Sequence, residues 1–197
     1  MAMTAQPGGT WRESPWRLVL YAIPTGLLIA PAAAMQLTAE VQWTAFDFVF
    51  AAVLLYGTTG LVDLALRKGG SVAYRFGAAL AVLIAFLLVW INGAVGMIGD
   101  EDNPANLMFL GVILVAVAGS ALARLRARGM ARAMLAAAAA QAAIAALVPL
   151  NGWGSGDPPG TVGLTLLIGT FALLWGLSAA LFAKAAHDER EIGEPGR

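Results

Sequence analysis

Six apolar runs separated by short polar segments divide the chain, and each run is long enough for one transmembrane helix. A helix rises about 1.5 Å per residue, so about 20 apolar residues cross a hydrocarbon core about 30 Å thick. The pattern predicts an all-α, polytopic integral membrane protein, a bundle of six transmembrane helices arranged as three hairpins. The six-helix domain covers residues 17–185, between a polar leader of residues 1–16 and a polar tail of residues 186–197. The predicted helices are residues 17–37, 43–66, 73–98, 106–124, 130–150 and 161–184.

The first apolar run has a second interpretation, as a secretory signal. Arg12 and Arg17 precede a short apolar stretch, and Ala32-Ala33-Ala34 resembles a signal cleavage site. The apolar run continues past that site to Leu37, which favours a retained helix. Cleavage stays the alternative.

The composition supports a membrane protein and excludes several kinds of chemistry. Apolar residues make up 59% of the 197 residues and charged residues 12%, whereas soluble domains carry about 25% charged residues. The chain has no cysteine and a single histidine, His187, which lies in the polar tail. This excludes disulfides, thiolate chemistry and a bis-histidine haem inside the membrane, and we predict no cofactor. A formal net charge of zero indicates no nucleic-acid partner.

The basic residues all fall on one side of the predicted membrane arrangement, and the three loops on the other side contain none. By the positive-inside rule both termini are then cytoplasmic, in a multi-pass protein of a bacterial inner (plasma) membrane. The basic residues are Arg12, Arg17, Arg67, Lys68, Arg75, Arg124, Arg126, Arg128, Arg132, Lys184, Arg190 and Arg197. The residues of the opposite, acidic side are Glu40, Asp47, Asp100, Glu101, Asp102 and Asp157.

The stretch Trp90–Asn106, WINGAVGMIGDEDNPAN, carries the densest polar chemistry of the chain. Adjacent carboxylates and amides offer hard oxygen ligands, which suit Ca²⁺, Mg²⁺ or Mn²⁺, although no EF-hand spacing is present. The local alternative is a helix start, because Asn103 is a preferred N-cap residue and Pro104 fits the first helical position. Both interpretations stay open, and the sequence does not identify a metal. The candidate polar or cation site comprises Glu40, Asp47, Asn92, Asp100, Glu101, Asp102 and Asn103.

Asp47 and Asn92 extend this candidate site into the apolar runs. Their positions predict depths of roughly 6 and 9 Å below the outer surface, which allows the two side chains to be neighbours. An ionisable group inside a span is costly and suggests a functional site. The local alternative is that Asp47 reaches the interface or accepts hydrogen bonds from Asn92, Gln42 or Trp43.

The fifth run, residues 130–150, contains eleven alanines. Alanine gains little from lipid contact and allows close approach of helix backbones, so this helix is predicted to be the most enclosed. Leucine at Ala139 or Ala143 is then expected to overpack it.

Other polar residues inside the spans have ordinary structural roles. Asp63 precedes Arg67 by four residues, which predicts a local ion pair on one helix face. The remaining embedded polar side chains are expected to form hydrogen bonds between helices. They are Thr58, Thr59, Ser120, Gln141 and Thr170.

Two stretches carry a resemblance to a protein group. WINGAVGMIGDEDNPANLMF and, in the first outer turn, AMQLTAEVQWTAFDF resemble small uncharacterised bacterial inner-membrane proteins. That group has an asparagine in the third helix followed by an E-D-N-P-A-N-type loop. The resemblance covers most of residues 17–185 and implies the topology described above. It implies no activity.

The favoured function is that of a small, non-enzymatic integral membrane protein, acting as a structural, accessory or interaction component. Its expected partners are the lipid bilayer and a second copy or another membrane protein. The alternative is a transporter or sensor for a cation or small solute, entered from the acidic periplasmic face. A transporter needs a polar path that continues inward past Asn92, and the sequence offers only Gln141 and scattered hydroxyls. An enzyme ranks third, because acid–base chemistry would depend on carboxylates alone.

Overall fold

The computed structural model describes residues 15–68, 70–156 and 158–193. Six α-helices in these ranges are long and apolar enough to cross a membrane, which confirms the predicted fold class and a multi-pass membrane protein. A short 3-10 turn, Pro104–Asn106, precedes the fourth helix. The helices are α1 (Pro15–Leu37), α2 (Ala45–Lys68), α3 (Val72–Ala94), α4 (Leu107–Leu122), α5 (Ala127–Leu150) and α6 (Gly160–Gly193). The predictions for Arg12, Asp157, Arg197 and most of the leader concern positions outside the described residues.

The chain divides into two compact units, residues 1–63 and 64–197. In the first unit, side chains join α1 and α2 at two levels. Nη2 of Arg17 lies 3.0 Å from Oδ2 of Asp63. Nearer the middle of both helices, Oγ1 of Thr25 lies 2.7 Å from the Tyr56 hydroxyl. The Tyr21 hydroxyl lies 3.5 Å from the same Oδ2 of Asp63. Among the described residues, an ion pair and hydrogen bonds of side-chain hydroxyls therefore join the two helices.

In the second unit α5 packs against both α4 and α6, and α3 packs against α6. Small residues allow these helices to lie close together: a Cβ added to Gly119 of α4 would lie 2.6 Å from the Cβ of Ala133 in α5. In an apolar stretch of 18 residues within α5, 44% is buried, which is the largest such share among the six helices. The prediction that the alanine-rich helix is the most enclosed is confirmed.

The buried face of α5 differs from the face assumed in the overpacking prediction. Ala139 and Ala143 are exposed, whereas Ala133 and Ala137 are buried. The overpacking prediction therefore named the wrong positions, because a run of identical small residues does not show which face of the helix is buried. The larger buried residues do mark one, at helical spacings: Met130, Met134, Gln141, Ile144 and Val148.

A matched pair of substitutions tests this packing. Ala137 is 0% exposed, so Ala137→Leu should lower the free energy of unfolding by about 1–3 kcal/mol through overpacking. Ala139→Leu adds the same side chain on the exposed face and should change it by less than about 0.5 kcal/mol. Thermal melting of the detergent-solubilised variants measures both, and equal melting temperatures would refute the assigned face.

Two helix ends differ from the sequence prediction. Helix α6 continues to Gly193 instead of ending near residue 184, so it includes most of the predicted polar tail. Contacts one helical turn apart support this extension: Lys184–Asp188 at 3.4 Å and His187–Glu191 at 3.6 Å. Helix α3 ends at Ala94 instead of residue 98, because the chain there turns into the acidic loop.

Candidate functional site

The loop that carries most of the predicted site begins where α3 ends. The amides of Val95 and Gly96 both donate to the Ile91 carbonyl, at 3.0 and 3.1 Å. Gly96 has a φ of 70°, a conformation that residues with a Cβ rarely adopt, and an added Cβ would collide with the Asp100 backbone. Glycine at this position therefore lets the loop fold back on itself.

Asn106 holds the loop in place. Its Oδ1 accepts from the amides of Met97 and Ile98, at 3.1 and 2.9 Å. Its Nδ2 donates to the carbonyls of Ile98 and Asp100, at 3.3 and 2.7 Å. Asn106, Met97 and Ile98 are all buried. The Asn106 side-chain amide therefore satisfies four backbone groups of the loop between α3 and α4. The sequence pattern predicted Asn106 only as the first residue of the fourth helix. Nothing in the local sequence indicates that its side chain binds the backbone of the preceding loop.

Asn103 and Pro104 act as the local interpretation predicts. Oδ1 of Asn103 accepts from the Ala105 amide at 3.0 Å, and Pro104 occupies the start of the 3-10 turn. Asp100, Glu101 and Asp102 are exposed at the tip of the loop. Among the described residues, their carboxylates take part in no hydrogen bond or ion pair, so the three acids are not needed to start the helix.

Asp47 also has a local role, in the first unit. Oδ2 of Asp47 accepts from both the amide and the hydroxyl of Thr44, at 2.7 and 2.8 Å. The Asp47 amide donates back to the Thr44 hydroxyl at 3.3 Å. This reciprocal pair closes the first turn of α2 in the manner of a capping box. Thr44 is thus a partner of Asp47 that the residue types did not predict, and Gln42 donates instead to the Ala39 carbonyl at 3.1 Å. A hydrogen bond from Asn92, in the second unit, stays a prediction.

Glu40 lies in the turn between α1 and α2. Its amide donates to the Thr38 hydroxyl at 3.1 Å, and its side chain is exposed. This bond belongs to the backbone of the turn and leaves the carboxylate at the surface.

Asn92 lies near the end of α3. Its Nδ2 donates to the Leu88 carbonyl of the same helix at 2.7 Å. Its Oδ1 is buried and has no hydrogen-bond partner among the described residues. The polar atom that faces inward is therefore an acceptor, the kind of atom that a water molecule or a cation satisfies.

The seven predicted site residues belong to two separate units. Asp100, Glu101, Asp102 and Asn103 share one loop of the second unit, which also contains Asn92. Glu40 and Asp47 belong to the first unit. The convergence of all seven residues on one cation stays a prediction.

The interior of the second unit contains buried polar side chains whose hydrogen-bonding atoms are unpaired among the described residues. Gln141 is 0% exposed, and neither atom of its amide has a partner among the described residues. The same holds for Nε1 of Trp175. Ser178, in contrast, donates across to the Gly77 carbonyl of α3 at 2.8 Å. A buried amide without partners is costly, so Gln141 marks a place where a small polar molecule would stabilise the fold.

Three of the four embedded hydroxyls form contacts within their own helices. Each donates to a carbonyl four residues earlier: Thr59 to Leu55, Ser120 to Ala116 and Thr170 to Leu166. The prediction of hydrogen bonds between helices was wrong for these three residues and for Gln141, whose amide has no partner among the described residues. A hydroxyl in a helix always has such a carbonyl within reach, so it needs no neighbouring helix.

His187, Asp188 and Glu191 form a group on the extended part of α6. Their ligand atoms lie within 4.8 Å of one another. His187 and Glu191 are exposed and Asp188 is half-buried, so solvent surrounds the group. The contacts Lys184–Asp188 and His187–Glu191 explain the presence of these side chains, because each contact stabilises the end of α6.

Comparisons with known proteins do not add an assignment. No protein-family model, curated protein or solved structure matches this chain. The resemblance to the bacterial group with the E-D-N-P-A-N-type loop stays a prediction, and the function must be argued from the residues.

Proposed function

We propose that this protein is a non-enzymatic accessory or structural component of a bacterial inner membrane, with both termini cytoplasmic. It associates through α1 and α2 with another membrane protein or a second copy of itself. The observation that carries this proposal is the hydrogen bond between Thr25 and Tyr56, which is exposed near the middle of both helices. Tyrosine in a membrane protein prefers the interface with water, so a pair of hydroxyls at mid-depth is better covered by a partner helix than by lipid.

Small residues beside this hydroxyl pair leave room for a partner helix. Among the described residues, no atom lies within 4 Å of the Cβ position at Gly26, Gly57 or Gly60. The same holds for Gly111, Gly169 and Gly176 of the second unit, whereas neighbouring helices occupy that space at Gly77 and Gly119. Close backbone approach at small residues is a common mode of helix association in membranes. Within the first unit, the glycines of α1 and α2 thus leave a surface that a partner helix can approach closely.

The polar residues on the acidic side also support a structural role. Asp47 closes the first turn of its own helix, Asn103 caps the 3-10 turn, and Asn106 holds the loop backbone. Each of these side chains stabilises its own segment. Chemistry on a substrate would require such groups to be oriented towards a common cavity.

A photocrosslinking experiment tests the association. A photoreactive amino acid replaces Val53, which is 70% exposed and lies one turn before Gly57 on α2. In intact bacterial membranes this position should give a protein adduct, and Gly57→Leu should abolish the adduct by blocking close approach. The matched control is Leu135 on α5, which is 62% exposed, has no glycine within one helical turn and should give lipid adducts only. An adduct of twice the mass identifies a second copy as the partner. Lipid adducts alone from both positions would refute the proposed association.

The alternative function, a transporter or sensor for a cation or small solute, has two observations in its favour. The three loop acids have no hydrogen-bond or ion-pair partner among the described residues. The buried amide of Gln141 also has no hydrogen-bond partner among them. A melting temperature that rises in millimolar Ca²⁺, Mg²⁺ or Mn²⁺, and no longer does so after Asp100→Asn with Glu101→Gln, would favour this alternative.

A further inference from the structure

A cavity of about 640 Å³ lies at one end of the second unit. The beginning of α3, the turn between α4 and α5, and the end of α6 meet there, which agrees with the predicted grouping of these basic segments on one side. The volume falls within the range of about 300–1,000 Å³ that is usual for ligand pockets. Its charged lining consists of Arg124, Arg126, Arg128, Arg190 and Glu189.

The four arginines of the lining are unpaired among the described residues. There, no hydrogen bond or ion pair engages the side chains of Arg124, Arg126, Arg128 or Arg190. Four cations thus surround a concave surface against a single carboxylate, Glu189. Such an arrangement concentrates positive potential and favours an anion in the cavity.

The turn that presents three of these arginines is held in a specific conformation. Arg124 and Leu125 have φ angles of 49° and 58°, in the left-handed region that favours glycine. The Tyr74 hydroxyl donates to the Leu125 carbonyl at 2.8 Å, and the Tyr74 ring packs edge-on against Phe182 at 5.0 Å. Tyr74 is only 8% exposed, so α3 and α6 together fix the turn that forms one wall of the cavity.

We propose that this cavity binds a phosphate group. Guanidinium groups match the oxygens of phosphate with paired hydrogen bonds, and several of them together neutralise its charge. The positive-inside rule accounts for basic residues on this side of the membrane, but it requires neither a cavity nor arginines from two separate segments around it. The phosphate belongs either to an anionic lipid headgroup or to a soluble phosphorylated molecule. The inference goes beyond the proposed association through α1 and α2 and does not depend on it.

The two sources can be separated in phosphate-free maltoside micelles. In one arm, inorganic phosphate is added to the purified protein at constant ionic strength, because salt screens exposed charges. In the other arm, phosphatidylglycerol is added to the same micelles. Binding in either arm should raise the melting temperature, since the ligand stabilises only the folded state. A rise with inorganic phosphate assigns a soluble ligand, and a rise with phosphatidylglycerol alone assigns a lipid headgroup.

Matched variants separate the cavity from general charge effects. Arg126→Gln and Arg190→Gln remove one guanidinium each from two different segments of the lining and should weaken binding about tenfold or more. Arg132→Gln removes the same charge from an exposed position of α5 outside the lining and should leave the affinity unchanged. Absence of a rise in both arms would overturn the proposal. An equal loss in Arg132→Gln would also overturn it, because binding would then reflect overall charge.

Discussion

Asp63→Asn should lower the free energy of unfolding by about 3–5 kcal/mol, the usual cost of breaking a buried ion pair. The Asp63 side chain is 5% exposed and the Arg17 side chain 19%, with 3.0 Å between Oδ2 and Nη2. Asparagine keeps the size of the side chain but removes the carboxylate charge that pairs with the Arg17 guanidinium. Titration with sodium dodecyl sulfate in mixed micelles, followed by circular dichroism, measures the change.

A double variant distinguishes loss of the pair from simple loss of packing. Arg17→Met with Asp63→Leu removes both charges and fills the space with apolar atoms. Such replacements of buried ion pairs are often neutral or stabilising, so the double variant should recover most of the stability lost in Asp63→Asn. Strictly additive losses from Arg17→Met and Asp63→Leu would show that the two residues do not interact, and would refute the role of this pair.

The partner of Asp63 illustrates what sequence spacing can and cannot predict. Arg67, one helical turn later, is the partner that spacing predicts, because side chains four residues apart share a helix face, and this local pair stays a prediction. The structure also places Arg17 of α1 beside Asp63, 46 residues away in the sequence. Contacts between helices depend on how the helices pack, and a single sequence contains no period that reports it.

Hydropathy predicted the helices well because each span must be a continuous apolar run. The same rule failed at the end of α3, where Val95, Met97 and Ile98 extend the apolar run beyond the helix. Met97 and Ile98 are buried in the loop, so burial alone explains their apolar character. The signal for the true end was Gly96, whose φ of 70° suits the residue after a helix.

The candidate site was predicted less completely than the fold. Residue types predicted the cap at Asn103, because capping depends on a few neighbouring residues. They did not predict the roles of Thr44 or Asn106. The cavity between α3, the α4–α5 turn and α6 was visible only as an excess of arginine, since its concave shape arises from three segments distant in sequence.

Asn106→Ala should be the most damaging single change in the acidic loop. It removes the partner of two amides and two carbonyls, and the residues Met97 and Ile98 are buried. Each buried polar group left without a partner costs about 1–3 kcal/mol, and water at the loop surface recovers part of this. We expect a loss of about 2–5 kcal/mol in the free energy of unfolding, measured by thermal melting, with faster hydrogen exchange at the Met97 and Ile98 amides.

Two further variants show whether the amide itself is responsible. Asn106→Asp keeps an acceptor for the Met97 and Ile98 amides but loses both donated bonds, so exchange at these amides should stay slower than in Asn106→Ala. Asn103→Ala removes a single hydrogen bond, to the Ala105 amide, and should cost only about 1 kcal/mol. A larger loss from Asn103→Ala than from Asn106→Ala would mean that the cap, and not the buried amide, holds the loop. The opposite order is expected, because Asn106 satisfies four backbone groups where Asn103 satisfies one.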